Sequence, residues 1–257
     1  MVKWIPDKKY LDYILYGSRM TLKSRYSNMS LGYVWWFLDP IIYMLIFILV
    51  YEIIFNQTMP HYPIFFLIGW ITWRWMSASL TGSSTSISSR ISMLEQISAP
   101  KYIFPLINLL VETILFIAAL VMVPIAMGID GVPFTWHIIE IVPLTMVTLF
   151  ALYGLTLLIA HVGTLVADFK NLVTYTLRLT FYLSPVFYEQ RLLPESIRDY
   201  YALNPAVGVL EGYRNCLLYG QSLDYMSVLY ILLIGLVTVP LGLYISSRYD
   251  KKYVNIK

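Results

Sequence analysis

The chain alternates between long apolar runs and short polar connections, and most of the apolar runs are long enough to cross a membrane. A bilayer core about 30 Å thick takes roughly 20 apolar residues in helical form. Six segments meet or approach that length, the fifth being the shortest: residues 33–55, 64–89, 103–128, 138–167, 172–188 and 226–247. The pattern predicts an all-α integral membrane protein with six transmembrane helices in one membrane domain, residues 33–247.

Composition supports this interpretation. Apolar residues make up 58% of the 257 residues and charged residues 13%, against about 25% charge in an average soluble domain. So few polar groups could not wet the surface of a soluble enzyme of this size. The same numbers exclude a disordered chain and a nucleic-acid-binding domain.

The basic residues alternate between the two sides of the predicted spans. Lysine and arginine are frequent before the first span and after the sixth, and they also occur between the second and third spans, as Arg90 and Lys101, and between the fourth and fifth, as Lys170. They are absent between the first and second spans and between the third and fourth. The positive-inside rule then places both termini in the cytoplasm, and residues 189–225 outside. We expect a multi-pass protein of the inner (plasma) membrane.

Two regions outside the spans are predicted to be helical. In the cytoplasmic arm, residues 1–32, apolar side chains recur at helical spacing, which is typical of an amphipathic helix in the membrane interface. In the external segment, Asn204 suits a helix N-cap, Pro205 the first helical position and Gly220 a helix stop. Helices there are too short to cross and are expected to be re-entrant. Residues 248–257 form a cytoplasmic tail.

No known catalytic or metal-binding motif is found in the sequence. It has no nucleotide-binding loop of the G-x-x-x-x-G-K-[ST] type, no nucleophile elbow and no zinc-protease motif. One cysteine, Cys216, excludes an internal disulfide, and the three histidines are far apart in the sequence. We therefore expect no catalytic residue, no metal site and no cofactor on this chain.

Two charged residues fall inside predicted spans. Arg74 and Glu112 each lie about 15 Å from opposite membrane faces, at 1.5 Å per helical residue, so both are near the midplane. Such residues are rare in membranes and pair with one another. We predict an Arg74–Glu112 ion pair that locks the two helices. A functional role in an ion channel or proton-coupled carrier is the alternative.

Small and aromatic residues add two further expectations. The stretch from Ser77 to Ser92 is rich in serine, threonine and glycine, which favours close helix packing over a polar path. Near the external end of the fifth span, Tyr182, Phe187 and Tyr188 carry rings that can stack on sugar C–H faces, and tyrosine hydroxyls can bind sugar hydroxyls.

Several short motifs in a fixed order carry a resemblance to a known family. They are Leu22–Tyr26 with Leu31–Trp35, Ala99–Lys101 with Pro105, Asp168–Asn171, Ser184–Tyr188, and Leu203–Pro205 with Glu211 and Arg214. Together they resemble the polysaccharide-exporting permeases of the ABC-2 type, which export O-antigen, capsule and teichoic-acid polymers. Asp39 stands where that family usually has asparagine, Ala99 where it has phenylalanine, and Ala167 where it has a basic residue.

The resemblance implies a permease, not an enzyme. It implies a homodimer that encloses a conduit, two copies of a separate P-loop ATPase that binds ATP and magnesium, and a lipid-linked polysaccharide moving out of the cytoplasm. Tyr182, Phe187 and Tyr188 would line the conduit. The partners are then a second copy, the ATPase, the substrate and membrane lipid, with no nucleic acid.

The same resemblance places an ATPase-coupling helix in the connection after the second span, residues 91–101. The apolar side chains of this connection could insert into a pocket of the ATPase, and its one glutamate could pair with a basic residue there. The N-terminal helix would lie beside the same ATPase. The residues expected to contact it are Met93, Leu94, Glu95, Ile97, Tyr10, Tyr13 and Arg19.

Three other functions compete with polysaccharide export. The first is an ABC-2 permease for a drug or small lipid, and the second is the channel or carrier that uses Arg74 and Glu112 without an ATPase. The third is an intramembrane glycosyltransferase-like enzyme, which would need a carboxylate cluster near one interface. The sequence shows no such cluster.

Overall fold

The computed structural model describes residues 8–26, 32–56, 58–90, 100–190, 193–194, 196, 200–201 and 203–249. Within these ranges the chain is helical and contains no strand. The helices are α1 (Lys8–Tyr26), α2 (Trp35–Ile48), α3 (Tyr62–Ser83), α4 (Ile103–Leu120), α5 (Met122–Asp130), α6 (Ile141–Leu165), α7 (Phe169–Tyr182), α8 (Pro205–Leu217) and α9 (Tyr225–Tyr249).

Among the residues that the structure describes, four stretches are long and apolar enough to cross a membrane: Trp35–Ile54, Ile103–Asp130, Trp136–Leu165 and Tyr225–Tyr249. They coincide with the first, third, fourth and sixth predicted spans. The second predicted span corresponds to α3, which has 22 residues but is less apolar. The fifth corresponds to α7, whose 14 residues cover about 21 Å, less than the thickness of a bilayer core.

The centre of the protein is α3, which packs against α2, α4, α6, α7 and α8. Most of its side chains are buried, including Trp75, Phe66 and Ser79. A helix surrounded by protein need not be as apolar as one that faces lipid. Its position therefore explains why α3 carries so many hydroxyl and indole groups.

Close packing between α6 and α9 depends on small residues. A Cβ added to Gly154 would lie 2.1 Å from the Thr238 hydroxyl oxygen, and one added to Gly235 would lie 2.4 Å from the Phe150 ring. Neither space admits a side chain, so these glycines set the distance between the two helices.

The helix predicted in the arm is present as α1, and it packs against the rest of the protein. Ile14 and Ser18 are buried, and a Cβ at Gly17 would meet Ile107 of α4 at 2.8 Å. Leu11 and Leu15 point away from the protein and are exposed. The apolar side chains of α1 thus fall into two groups. Ile14 packs on α4, and the exposed Leu11 and Leu15 can contact lipid or another protein.

Helix α8 begins and ends where the sequence predicts. The Asn204 side chain accepts a hydrogen bond of 3.0 Å from the Ala206 amide, and Pro205 is the first helical residue. Beyond the last turn, Gly220 has a φ of 60°, a conformation that glycine adopts at little cost. We call the surroundings of this helix, residues 184–190 and 204–224, the α8 region.

Candidate functional site

An ion pair joins α3 to α2. The Arg74 guanidinium lies 2.5 Å from an Asp39 carboxylate oxygen, and the two side chains are 42% and 30% exposed. The long aliphatic stem of arginine allows its charged group to reach along the helix toward Asp39. This pair is therefore accessible rather than sealed in the protein.

A second ion pair joins α4 to α1. An Arg25 nitrogen lies 2.6 Å from a Glu112 oxygen, and the Glu112 side chain is only 8% exposed. A buried carboxylate without a cation would be strongly unfavourable. Glu112 is about 13 Å along α4 from its first residue, so the last turn of α1 reaches deep into the helical domain.

These contacts contradict the predicted Arg74–Glu112 pair, which was wrong. Sequence position fixes the height of a residue along a helix but not the direction that its side chain faces. Asp39 of α2 and Arg25 of α1 are closer counter-charges. Arg74 and Glu112 nevertheless line the same small cavity, of about 30 Å³. That volume is room for a water molecule.

The hydroxyl-rich part of α3 packs against α4, as predicted. The Ser79 and Ser83 hydroxyls donate to carbonyls one turn earlier, at 2.7 Å in both cases. Asn108 of α4 donates to the Ser79 carbonyl at 3.1 Å and to the Ser83 hydroxyl at 3.4 Å. The polar groups in this stretch bond within and between the two helices.

The α8 region is built around one buried arginine. Arg214 is 0% exposed and donates to the carbonyls of Pro185 at 2.5 Å and Val186 at 2.8 Å. It also contacts Glu211 at 2.9 Å and lies 3.5 Å above the Phe65 ring of α3. Burial lowers the pKa of this guanidinium, and the Glu211 charge opposes the shift. These partners hold α8 to α3.

Motif residues far apart in the sequence meet in the same region. The Asn204 amide donates to the Ser184 hydroxyl at 2.9 Å, which ties the start of α8 to the turn after α7. That turn is the Ser184–Tyr188 motif, and its carbonyls are the acceptors of Arg214. Because the side chains satisfy backbone groups in a turn, residue type matters at each position.

The three predicted sugar-contacting rings lie together in an aromatic cluster. The ring centroid of Phe187 is 6.1 Å from that of Tyr182 and 5.0 Å from that of Tyr188. Phe47 of α2 joins them at 5.3 Å from Phe187. Tyr182 is 58% exposed, and the Tyr188 hydroxyl bonds to the hydroxyl of Tyr201. The cluster thus combines one exposed ring, that of Tyr182, with rings that pack against one another.

The predicted coupling residues Met93, Leu94, Glu95 and Ile97 lie outside the described residues. The ends of their connection are described. Arg90 donates to the Thr21 hydroxyl of α1 at 3.4 Å and lies 5.7 Å from the Phe104 ring of α4. Ile87 and Ile103 pack with Ile14 of α1. Both ends of the connection therefore contact α1.

The other predicted coupling residues lie on α1. Tyr10 is half-buried and packs on the cluster formed with α4, whereas Tyr13 and Arg19 are exposed. Tyr13 and Arg19 are thus available for contact with another protein.

Sequence reasoning missed two histidine–carboxylate pairs. His61 lies 2.6 Å from Asp130, and His137 lies 2.6 Å from Glu140. Glu140 also accepts from the Leu223 amide at 2.9 Å. The first pair connects the start of α3 with the end of α5. Glu140 connects the turn before α6 with the loop before α9.

Comparison with known proteins identifies the family. Residues 14–218 match the family described as ABC-2 type transporter. The chain belongs to the ABC-2 type transporter family. The resemblance that the motifs indicated is therefore confirmed. The matched range, residues 14–218, includes Arg214 and the residues that bind its guanidinium, Phe65, Pro185, Val186 and Glu211.

The chain is similar to several curated transport proteins. It is 30% identical, over 75% of each chain, to "O-antigen export system permease protein RfbA" of Myxococcus xanthus. It is 22% identical to a protein of the same name from Klebsiella pneumoniae over 95% of each chain. "Polysialic acid transport protein KpsM" of Escherichia coli is 22% identical over 86% of this chain and 87% of its own.

Proposed function

We propose that the chain is the transmembrane subunit of an ATP-driven exporter that moves a lipid-linked polysaccharide, similar to O-antigen, out of the cytoplasm. Its family and the names of its relatives support this proposal. The observation that carries it is the cluster around Arg214. There the Ser184–Tyr188 turn, Asn204 and Glu211, all parts of the polysaccharide-exporter motifs, meet in one hydrogen-bonded unit.

The energy for transport would come from a separate ATPase. The sequence has no phosphate-binding loop, so ATP and magnesium would bind two copies of a partner subunit. This chain would supply no covalent chemistry. Its contribution would be a difference in affinity for the substrate between two states of the conduit.

We propose six crossings of the inner membrane, with α3 and α7 as the second and fifth. The four apolar stretches support four of the crossings. Burial of α3 within the protein reduces its need for apolar residues, and the Ser184–Tyr188 turn would extend α7 toward the outer surface. Both termini would then be cytoplasmic, and α8 would be a re-entrant helix at the outer side.

The face formed by α2 and α7 is where we place the second copy and the conduit. Both helices pack on α3 and leave large apolar side chains exposed, such as Leu45 and Leu172. Exposed Tyr182 lies on this face with Phe187 and Tyr188 beside it. Weak ring–sugar contacts of this kind would guide a polymer without holding it.

Force from the ATPase would enter through residues 91–99 and α1. Both ends of that connection pack on α1, through Arg90 with Thr21 and through Ile103 with Ile14. A displacement of the connection would therefore displace α1. Because Arg25 of α1 pairs with Glu112, the movement would reach the middle of α4.

Two alternatives have less support. A channel or carrier that uses Arg74 and Glu112 would need charges free to exchange protons or bind ions, and each of these residues already has its own counter-charge. A drug or small-lipid permease would belong to the same family. The printed names of the relatives favour a polysaccharide.

Complementation in cells tests the function. The native copy of this chain is deleted, and surface polysaccharide and lipid-linked polymer retained in the cytoplasm are measured with and without a plasmid copy. We expect surface polymer to disappear, the cytoplasmic pool to rise, and both to recover with the plasmid. An ATPase subunit with its phosphate-loop lysine replaced is the matched control and should give the same phenotype. Normal surface polymer in the deletion strain would disprove the proposal.

A further inference from the structure

A polar cavity of about 480 Å³ lies between α8 and the first turns of α9. Its volume falls in the range of about 300–1,000 Å³ that small-ligand sites occupy. Amide, carboxyl and hydroxyl groups make up much of its wall, contributed by Gln190, Glu211, Asn215, Asp224, Ser227 and Tyr230.

Several of these groups have unused hydrogen-bonding capacity. In the part of the chain that the structure describes, the side chains of Gln190 and Asn215 have no hydrogen-bond partner, and Glu211 uses one of its two oxygens, for Arg214. Asp224 accepts from the Ser227 hydroxyl at 2.6 Å, which holds the pKa of Asp224 below its ordinary value. The cavity therefore offers both donors and acceptors, the combination that sugar hydroxyls need.

A second cavity, of about 170 Å³, is almost wholly apolar and lies between α3, α6, α7, α8 and α9. Along α6 it extends from Thr148 to Leu155, about 10 Å at 1.5 Å per residue. Leu177 of α7 and Ile234 of α9 line it and are partly exposed, so it opens toward the surface between those helices. An apolar cavity of about 150 Å³ is enough to bind benzene, so this one can hold part of a hydrocarbon chain.

A buried hydroxyl lines the apolar cavity without a partner. Thr148 is 2% exposed, and its hydroxyl has no hydrogen bond to any residue that the structure describes. On the same helix, the hydroxyls of Thr145 and Thr164 donate to carbonyls one turn earlier. A buried polar group left without a partner is unfavourable. An oxygen of a bound molecule at this point would satisfy it.

The two cavities share three residues, Asn204, Pro205 and Ile231. A polar and an apolar cavity with a common wall fit the two halves of an amphiphile. We propose that together they bind the lipid-linked end of the exported saccharide, with the sugar in the polar cavity and the hydrocarbon in the apolar one. The Thr148 hydroxyl would then face the linkage between the two.

That the ligand is the exported glycolipid rests on the proposed function. The existence of the two cavities and the residues that line them do not depend on it. A membrane phospholipid is the competing occupant, because its ammonium group would also bind the Glu211 and Asp224 carboxylates. The amides of Gln190 and Asn215 favour hydroxyl groups instead, since an amide both donates and accepts.

Photo-crosslinking of the full-length chain, purified in lipid nanodiscs with the subunits that accompany it, tests the proposal. One probe is dodecyl maltoside with a diazirine in its tail, and the other is dodecylphosphocholine with the same tail. Labelled peptides are located by mass spectrometry. We expect the maltoside to label α6 and α9 at the apolar cavity and excess unlabelled maltoside to remove the label. The phosphocholine probe should label that site about tenfold less.

Matched substitutions assign the label to the two cavities. Ile234→Trp fills the apolar cavity, with Leu155→Phe as a second filling variant, and Leu233→Trp, exposed next to it, is the control. Asn215→Leu with Gln190→Leu removes two polar groups, and exposed Gln221→Leu is the control. The double change removes two side chains that can hydrogen-bond to sugar hydroxyls and should weaken labelling about tenfold or more. Filling variants should also reduce polymer export, and the controls should change neither readout.

Three kinds of result would overturn the proposal. Label spread evenly over the lipid-facing surface, or equal labelling by both probes, would show that no saccharide site exists. Label that disappears in both filling variants but persists in the Asn215 and Gln190 variant would show a hydrocarbon groove only. Loss of label with normal export would exclude the exported glycolipid as the ligand. Absence of export with the unchanged chain would instead overturn the proposed function and leave the binding result in place.

Discussion

The protein uses arginine in two different ways, at the α8 region and in the middle of the helical domain. Arg214 is 0% exposed, and its partners are backbone carbonyls, a glutamate and an aromatic ring. Arg74 is 42% exposed and has one carboxylate partner. A buried guanidinium whose two terminal nitrogens both donate hydrogen bonds fixes structure, because any movement leaves several buried groups unsatisfied. A half-exposed pair can separate and form again at small cost.

This difference suggests where the protein can move. The α8 region would stay rigid through a transport cycle, while the half-exposed Arg74–Asp39 pair between α3 and α2 would rearrange. The water-sized cavity between Arg74 and Glu112 gives room for small displacements. A conformational change passed from α1 to α4 through the Arg25–Glu112 pair would thus separate the Arg74–Asp39 pair more readily than the contacts of Arg214.

The largest expected effect comes from Arg214. Arg214→Ala leaves the carbonyls of Pro185 and Val186 without their donor and should reduce the free energy of unfolding by about 3–5 kcal/mol. Arg214→Lys keeps the charge but lacks the planar set of donors, so it should recover only part of the loss. Thermal unfolding in detergent measures both. If either variant matched the stability of the wild type, the rigid role of this residue would be wrong.

Some of this site could be predicted from the sequence. The Asn204–Pro205 start of α8 and the Gly220 stop follow from local capping rules, which depend only on neighbouring residues. The carbonyl partners of Arg214 could not be predicted, because they depend on how a turn after α7 packs against α8. The prediction of an Arg74–Glu112 pair was wrong for a similar reason. Helical periodicity gives the position of a residue along the helix but not the direction of its side chain.

The second effect concerns Arg25 and Glu112. Glu112→Ala removes the buried carboxylate that pairs with Arg25 and joins α4 to α1, and should lower the amount of assembled protein. The exchanged double variant Arg25→Glu with Glu112→Arg should recover much of that amount. Membrane-extracted protein is measured by size-exclusion chromatography.

The control for that exchange is Arg74→Glu with Glu112→Arg, the pair that the sequence alone predicts. The structure gives these residues different partners, so this exchange should recover nothing over the single changes. Recovery here, and not in the Arg25 exchange, would show that the pairing is reversed.

The smallest effect should come from Asp39. Asp39→Asn keeps the size of the side chain and can still accept a hydrogen bond from Arg74, so only the charge is lost. Because this pair is 30–42% exposed, the loss should be about 0–1 kcal/mol of stability. We expect stability near wild type, with an altered export rate if the pair opens and closes during transport. If Asp39→Asn lost as much stability as Arg214→Ala, the Arg74 pair would be as important for the fold as the contacts of Arg214. The division into rigid and flexible regions would then be wrong.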